Sequence, residues 1–179
     1  LFALFVGIPM GIYSAKKNGK MLDHATRFFS IGAVSLPTFW VAMVFQLVFY
    51  RILNWLPLGG RMSINASLLY EIPNVTGMLI IDCILTGSWE LLGDAFVHII
   101  MPGFTIALYP IGLVARMTRS ALLEILNEDY ITASKSYGIR EGKVLWRYAL
   151  KNSLGATATV VALSMGYSLT NTFLTETIF

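Results

Sequence analysis

AFVHIIMPGFTIALYPIGLVA, residues 95–115, is followed directly by RMTRSALLEILNEDYITASKSYGIREGKVLWRYALK, residues 116–151. The first segment contains no Asp, Glu, Lys or Arg and has about the 20 residues that a helix needs to cross a hydrocarbon core. The second segment is charged, and a third, NSLGATATVVALSMGYSLTNTFLT (152–175), is again free of charged side chains. The sequence therefore predicts two membrane helices joined by an exposed, charged loop.

The composition of the whole chain agrees with a lipid environment. Hydrophobic residues make up 56% of the 179 residues and charged residues 13%, with a mean hydropathy of +0.67. Soluble domains have about 25% charged residues. Two more uncharged segments, residues 1–15 and 28–50, bring the predicted membrane helices to about four, because backbone polar groups in lipid must be satisfied within a helix. We therefore expect an all-α, polytopic membrane protein, and the opening inside an apolar run suggests a fragment.

The distribution of cations predicts the orientation. Eleven of the thirteen Lys and Arg residues fall in the loops 16–27 and 116–151, which the positive-inside rule assigns to the cytoplasm. The loop 51–94 is then external. Within it, MLIIDCIL (78–85) is too short to span and contains Asp82, so we interpret it as an external helix or a re-entrant element.

Several features inside the predicted spans have two interpretations each. Prolines at positions 9, 37, 102 and 110 either bend helices or reflect the ordinary frequency of proline in membrane helices. Small residues at every fourth position, Gly7 with Gly11 and Ala158 with Ala162 and Gly166, predict close helix packing, most simply within the chain. The hydroxyls and amides of the fourth segment either line a solute path or bond across helices, and the candidate path residues are Ser164, Ser168 and Asn171.

The loop 116–151 has a helix–turn–helix pattern. Asn127 is a candidate cap of a short helix whose first turn carries Glu128 and Asp129, and Gly138 suits the residue that ends it. Two sets of residues predict apolar faces, one on each side of the turn: Leu122, Leu126, Tyr130, Ala133 and Tyr137 before it, and Val144, Leu145, Tyr148 and Ala149 after it. A basic segment that lies on anionic lipid is the alternative.

The run ARMTRSALLEILNEDYITASKSYGIREGKVLWRYALKNSL (115–154) closely resembles the cytoplasmic loop of bacterial ABC importer permeases of the dipeptide, oligopeptide and nickel branch. The resemblance extends to four further motifs, which follow in order: SLPTFWVAMV at 35–44, LPLGGR at 56–61, VTGMLIIDCIL at 75–85 and TETIF at 175–179. It covers nearly the whole chain. It implies a single type I (MetI-like) ABC transmembrane domain over residues 1–179, with the cytoplasmic coupling loop at 116–151.

In that family the loop contains a coupling helix, the EAA motif, that sits in a groove of the ATP-hydrolysing subunit. The Glu-Ala-Ala triplet corresponds to Thr132, Ala133 and Ser134, so its glutamate is absent here, and the motif glycine corresponds to Gly138. The proline of the general motif is also absent, because Lys151 follows Leu150. The resemblance assigns coupling to nine residues: Glu128, Asp129, Tyr130, Thr132, Ala133, Ser134, Lys135, Gly138 and Arg140.

The resemblance also implies the partners: ABC ATPase subunits, a second homologous permease subunit, an extracytoplasmic substrate-binding protein and membrane lipid, without nucleic acid. We expect a multi-pass protein of the bacterial plasma (inner) membrane that is not itself an enzyme and has no cofactor, since the sequence has no G-x-x-x-x-G-K motif and no clustered Cys and His. The transported solute stays open between peptides, nickel and other solutes.

Two other classes of protein remain as alternatives. A secondary carrier or channel, with a basic loop anchored to lipid, should place ionisable groups deep in its spans, and here only His98 lies near the end of one. A membrane anchor or scaffold would not need the polar fourth segment. Both alternatives predict that no ATPase subunit co-purifies with the protein.

Overall fold

The computed structural model describes residues 2–63, 66, 68 and 75–179, and in these residues the regular structure is helical, without strands. The predicted all-α fold is confirmed for this part of the chain. The helices are α1 (Phe2–Lys16), α2 (Met21–Ser35), α3 (Thr38–Phe45) with a π-helical continuation (Gln46–Ile52), α4 (Leu79–Thr86), α5 (Trp89–Leu126), α6 (Asp129–Ser136) and α7 (Glu141–Lys143), which a π-helical segment (Val144–Ala149) joins to α8 (Leu150–Glu176).

Pro37 separates α2 from α3. The residue before it, Leu36, is extended (φ −84°, ψ 132°), as expected where the proline ring crowds the preceding residue out of the helical region. Pro9 lies inside α1, and Pro102 and Pro110 lie inside α5, without ending either helix. Of the four prolines, only Pro37 interrupts a helix.

The chain divides into two compact units. The first consists of residues 1–36 and 107–170, and the second of residues 37–106 and 171–179. Helices α5 and α8 supply residues to both units. The predicted coupling loop belongs to the first unit, and the predicted external loop to the second.

In the first unit, glycines allow helices to approach α5 closely. A Cβ atom on Gly7 would lie 3.0 Å from the Val114 side chain, and one on Gly11 would lie 2.6 Å from Cβ of Thr118. The predicted packing of the G-x-x-x-G pair within the chain is therefore confirmed. Ala158, Ala162 and Gly166 are all exposed, so packing of this face within the chain is not found, and contact with another subunit stays a prediction. The buried face of α8 consists instead of hydroxyl and amide residues: Ser153, Thr157, Ser164, Asn171 and Thr175.

In the second unit, the predicted helix within residues 78–85 is found as α4, which spans Leu79–Thr86 with Met78 as its N-cap; its external position stays a prediction. Asp82 is buried and accepts hydrogen bonds from the Thr76 N–H (2.8 Å), the Thr76 hydroxyl (2.5 Å) and the Gly77 N–H (3.1 Å). The hydrogen bond from the Thr76 hydroxyl is the main cause of a pKa of Asp82 below its ordinary value. Asp82 therefore fixes the turn that leads into α4.

Helix α8 is polar on its buried face, and its exposed face mixes large apolar side chains with the polar residues Asn152, Thr159, Thr170 and Thr172. Leu163, Leu169 and Phe173 are each at least 70% exposed, whereas the hydroxyls listed for the buried face contact the protein. By length and composition, one described helix, α5, is apolar enough to cross a membrane; α2 and α3 with its continuation give a second if they form one interrupted span. Helix α8 falls below that hydropathy because of its many hydroxyl and amide side chains, and α1 has only 15 residues.

Candidate functional site: an exposed helical elbow

The predicted coupling residues lie on an exposed elbow, defined here as residues 127–140, whose centre is α6. Helix α6 begins at Asp129, and its N-cap residue is Glu128, which is extended (φ −68°, ψ 147°) and makes no side-chain capping bond. The predicted cap at Asn127 is wrong. The Asn127 N–H donates to the Glu124 carbonyl, so this residue still belongs to the last turn of α5.

The elbow turns at Gly138, as predicted. Gly138 has φ +76°, a left-handed conformation that glycine adopts without a Cβ clash. Its N–H donates to the Lys135 carbonyl (2.9 Å), and the Ile139 N–H donates to the Ser134 carbonyl (3.3 Å). This pair of bonds is the Schellman motif, which satisfies the last carbonyl groups of a helix. The turn direction is therefore set by backbone bonds rather than by side-chain contacts.

Ile131 attaches the elbow to the rest of the first unit. Its side chain is 0% exposed and belongs to an apolar cluster with Ile12 and Ala15 of α1, Leu122 of α5, and Val144, Leu145 and Ala149 beyond the turn. The prediction that Val144, Leu145 and Ala149 form an apolar face is confirmed, and Tyr148 packs at the edge of the cluster.

The predicted apolar face before the turn is only partly correct. Leu122 is buried, but Tyr130, Ala133 and Tyr137 are exposed, Tyr137 by 86%. The spacing argument assumed one continuous helix from Leu122 onward. Because α5 ends at Leu126 and α6 starts at Asp129, the break shifts the register and turns Ile131 inward instead.

Eight of the nine predicted coupling residues are exposed and the ninth, Ser134, is half-buried. The Ser134 hydroxyl donates to the Tyr130 carbonyl one turn earlier (2.7 Å). The exposed surface contains acidic groups at the start of α6 and basic groups at and after its end, an arrangement that complements the helix dipole. The elbow therefore presents a polar surface with a small residue, Ala133, at its centre.

Tyr130 has a contact that the sequence did not indicate. Its phenol oxygen accepts a hydrogen bond from the Asn152 side-chain amide (2.9 Å), which lies in the first turn of α8. The elbow is thus linked to α8 by a side-chain bond in addition to the chain connection. A spacing of 22 residues across a turn gives no periodic signal from which this pair could be predicted.

A second feature that sequence reasoning missed is the ion pair between Asp23 and Arg119. The Arg119 guanidinium donates from Nε to Asp23 Oδ1 (2.6 Å) and from Nη2 to Asp23 Oδ2 (2.8 Å). Asp23 is 0% exposed and also accepts hydrogen bonds from the Ser14 hydroxyl (2.6 Å) and the Gly19 N–H (3.0 Å). Bidentate pairs of this kind fix both distance and orientation. The pair joins the 16–27 loop to α5 two turns before the elbow.

Both partners lie outside the uncharged segments 28–50 and 95–115. Hydrogen bonding from Arg119 holds the pKa of the Asp23 carboxyl well below its ordinary value, against the opposing effect of burial. The same contact raises the pKa of Arg119. A possible signal in the sequence was Asp23 itself, the only carboxylate in a loop that is otherwise basic.

The three candidate path residues all lie on α8. Ser164 and Asn171 are buried and Ser168 is half-buried. The Ser164 hydroxyl donates to the Val161 carbonyl (2.8 Å), and the Ser168 hydroxyl donates to the Ser164 carbonyl (2.8 Å). These serines satisfy their hydroxyls on their own helix, as serine does in apolar surroundings.

Two further observations concern the binding of solutes and metal ions. A cavity of about 790 Å³ in the second unit is lined mainly by apolar side chains, with Arg61, His98 and Glu176 among the polar ones, and none of the candidate path residues lines it. Among the described residues, no group of three His, Cys, Asp or Glu side chains is placed to hold a metal ion.

Residues 7–179 match the family of binding-protein-dependent transport system inner membrane components, and the chain belongs to this family. The resemblance found in the sequence is confirmed. The class of protein is thus the membrane component of a bacterial transport system, with an all-α permease domain.

Three relatives illustrate the range within the family. The chain is 37% identical to the dipeptide transport system permease protein DppB of Alkalihalophilus pseudofirmus (100% of this chain, 53% of the relative) and 40% identical to the probable D,D-dipeptide transport system permease protein DdpB of Escherichia coli K12 (100% and 52%). It is 32% identical to the putrescine export system permease protein SapB of Escherichia coli K12 (99% and 55%). The chain spans about half the length of the curated relatives it matches.

Proposed function

We propose that this chain is the membrane-spanning permease part of an ATP-driven importer and that its elbow, residues 127–140, docks on a separate ATPase subunit. The observation that carries the proposal is the construction of the elbow: a short helix with one buried side chain, Ile131, and an otherwise exposed polar surface. A helix held in this way is firmly attached on one side and free to bind a partner on the other.

The exposed surface has the features that a docking helix needs. Ala133, exposed at the centre of α6, allows the backbone of a partner to approach closely. Glu128 and Asp129 at one end and Lys135 and Arg140 at the other provide charges of opposite sign. Such charges fix the register of an interface more than they add affinity. We assign the remaining coupling residues, Tyr130, Thr132, Ser134 and Gly138, to the shape of this surface.

The proposal includes the topology and the other partners. Helices at about 1–15, 28–50, 95–115 and 152–175 cross a bacterial plasma (inner) membrane, with the loops 16–27 and 116–151 in the cytoplasm and the loop 51–94 outside. The other partners are a second homologous permease subunit and an extracytoplasmic substrate-binding protein. ATP is hydrolysed by the ATPase subunits.

We propose peptides or similar small solutes as the cargo, with Ser164, Ser168 and Asn171 as polar residues of the path. Support comes from two relatives whose names specify dipeptides, whereas the name of a third specifies putrescine. Uptake of labelled dipeptide and of labelled putrescine, in cells with and without the complete gene, tests the assignment. Dipeptide uptake that does not depend on the gene would contradict it.

The docking proposal is tested with Ala133→Phe in the complete permease, reconstituted in vesicles with its ATPase subunits. Ala133 is exposed, so the larger side chain should leave the fold intact while it blocks close approach of the partner. We expect at least a 10-fold loss of transport-coupled ATP hydrolysis, since a loss of about 1.4 kcal/mol corresponds to each factor of ten. Ala25→Phe is the matched control, because Ala25 is exposed in the other predicted cytoplasmic segment. Equal activity of the two variants would refute docking at the elbow.

A second variant, Gly138→Pro, changes the turn instead of the surface. Proline cannot adopt φ +76° and removes the N–H that donates to Lys135. We expect coupled ATP hydrolysis to be abolished with membrane insertion retained. Gly87→Pro is the control, since Gly87 ends α4 with a similar φ of +70° on the predicted external side. If both variants stimulate the ATPase normally, the turn has no part in coupling.

A further inference from the structure

A cavity of about 250 Å³ lies in the first unit, between α2 and α5, apart from the elbow. Its wall includes three arginines and three hydroxyl residues: Arg27, Arg116, Arg119, Thr26, Ser30 and Ser120. Pockets for drug-sized ligands have about 300 to 1,000 Å³, so this cavity suits a smaller group. Arginine and hydroxyl donors without a carboxylate of their own select for an anion.

The charges in the wall are only partly neutralised. Arg119 is paired with Asp23, which holds its guanidinium in a fixed orientation. Arg27 and Arg116 form no ion pair with any described residue. Three guanidinium groups against the single carboxylate of Asp23 therefore leave two positive charges at the cavity. Arginine is well suited to bind phosphate because its planar donors match two oxygens at once.

Ser30 provides a separate indication of a ligand. Its side chain is 1% exposed, and its hydroxyl has no hydrogen-bond partner among the described residues. Ser30 lies where α2 and α5 are in close contact, since a Cβ atom on Gly112 would lie 2.9 Å from the Ser30 carbonyl oxygen. Leaving a buried hydroxyl unpaired is unfavourable, because its hydrogen bonds to water are lost and not replaced. A bound oxygen atom in the cavity would remove that cost.

The position of the cavity identifies the source of the anion. It lies at the ends of the uncharged segments 28–50 and 95–115 that adjoin the two predicted cytoplasmic loops. Lipid headgroups occupy that level of a bilayer. Ile31, which also lines the cavity, and Phe28, one turn away, are exposed apolar residues on the same stretch of α2, suitable for contact with acyl chains.

We propose that this cavity binds the phosphate group of an acidic phospholipid from the cytoplasmic leaflet. Arg27 and Arg116 supply the attraction, Arg119 supplies a pre-oriented donor, and Ser30 donates a hydrogen bond to a phosphate oxygen. Basic pockets between membrane helices on the cytoplasmic side are known to hold such headgroups. The proposal goes beyond the transport function and does not depend on docking at the elbow.

Binding is tested with a fluorescent short-chain phosphatidylglycerol, titrated into the complete permease purified in uncharged detergent. Each arginine near a lipid surface contributes about a 5-fold gain in affinity, so Arg27→Gln/Arg116→Gln should weaken binding by about 30-fold. Lys143→Gln/Arg147→Gln is the matched control: it removes the same charge from exposed residues of the same predicted side, outside the cavity. An equal loss in the control would show nonspecific attraction and overturn the proposal.

Ser30→Ala tests the hydroxyl separately from the charge of the cavity, because it removes one hydroxyl and retains all three arginines. We expect binding to weaken by about 10-fold, the lower end of the contribution of one hydrogen bond to a charged group. Unchanged affinity in Ser30→Ala would overturn the role of the hydroxyl. The thermal melting temperature of each variant, within a few degrees of the wild type, verifies that the fold is retained.

Competition identifies the ligand. Unlabelled phosphatidylglycerol should displace the probe, and phosphatidylcholine, whose choline carries a positive charge, should do so much less. Displacement by inorganic phosphate at a comparable concentration would assign the cavity to dissolved phosphate and overturn the lipid source. ATPase stimulation is measured on the same cavity variants, so that the lipid proposal and the docking proposal can fail separately. A variant that loses lipid binding but still stimulates the ATPase normally leaves the docking proposal intact.

Discussion

At the residue scale, Asp23 connects separate parts of the chain. Its carboxylate accepts four hydrogen bonds from α1, the loop after it and α5. The pairing with Arg119 was beyond sequence reasoning, because 96 residues separate the partners and no local pattern relates them. The sequence showed two charged residues in basic loops, whereas the fold shows one buried ion pair.

Removal of one partner should be costly. We expect Asp23→Asn to lower the free energy of unfolding by about 3 kcal/mol, because Arg119 is left without its counter-charge in a mostly buried position. Asp129→Asn is the control, since that carboxylate is exposed and should change stability by at most about 0.5 kcal/mol. Thermal denaturation in detergent measures both. A smaller effect of Asp23→Asn than of Asp129→Asn would contradict the structure.

The same pair predicts a pH dependence. The pKa of Asp23 is lowered in the folded state from an ordinary value of 3.8, so the pair stabilises the fold fully above that pH. The contribution is lost only as the pH falls below 3.8 toward the lower, folded-state pKa. The difference in melting temperature between the wild type and Asp23→Asn should therefore be constant from neutral pH to about pH 5 and shrink below pH 4. If the difference in melting temperature disappeared near pH 6, the stabilisation would come from the titration of a group other than Asp23.

At the scale of the elements, residue spacing predicted the buried face correctly within one helix and incorrectly where the spacing crossed from one helix to the next. Val144, Leu145 and Ala149 were placed correctly because they belong to one helical segment. Tyr130 and Tyr137 were misplaced because their spacing was counted from Leu122 across the two-residue break after Leu126, although the candidate cap at Asn127 already indicated a new helix there. The glycine at the turn was predictable, since left-handed backbone at a helix end selects for it.

Ile131 tests the attachment of α6. We expect Ile131→Ala to destabilise the protein by about 3 kcal/mol, because the side chain is fully buried in the apolar cluster and its loss leaves a cavity. Ile84→Ala, which removes the same atoms from an exposed position on α4, should have little effect. Chemical denaturation of the purified protein compares the two. Equal midpoints would show that α6 is not anchored by Ile131.

Two helical glycines should respond to alanine in opposite directions. Gly11→Ala would place a Cβ atom 2.7 Å from the Ala115 carbonyl oxygen of α5, and we expect it to destabilise the protein by about 2 kcal/mol. Gly32→Ala meets nothing within 4 Å and should stabilise α2 by about 0.5 to 1 kcal/mol through helix propensity. Melting temperatures that move in the same direction would contradict the close approach of α1 and α5.

At the scale of the whole molecule, the composition predicted the class of protein, but the hydropathy did not predict the number of membrane crossings. The bulk content of apolar residues was sufficient to predict a helical membrane protein. The number of crossings is harder to derive, because α8 contains many hydroxyl residues, some of them buried, and α2 with α3 is interrupted at Pro37. Average hydropathy does not distinguish an inward polar face from a polar surface.

Topology can be measured with the protein nearly unmodified. Cys83 is the single cysteine of residues 1–179, and any cysteine elsewhere in the complete permease is first replaced by serine. Cys83 is buried, and desolvation raises the pKa of its thiol, so its background reaction with maleimide should be slow. In right-side-out vesicles of the complete permease, a membrane-impermeant maleimide should label Ser88→Cys and spare Ser136→Cys. The reverse result would place the elbow outside and refute the orientation.

The apolar cluster around Ile131 also has a mechanical consequence. The same small set of side chains belongs to α1, α5, α6 and the π-helical segment before α8. Protein interiors are close-packed and hardly compressible, so such a junction cannot absorb a push by local deformation. A displacement applied to the outer surface of the elbow would reach α1 as directly as it reaches α5 and α8. The cluster would therefore act as a stiff joint rather than as a hinge.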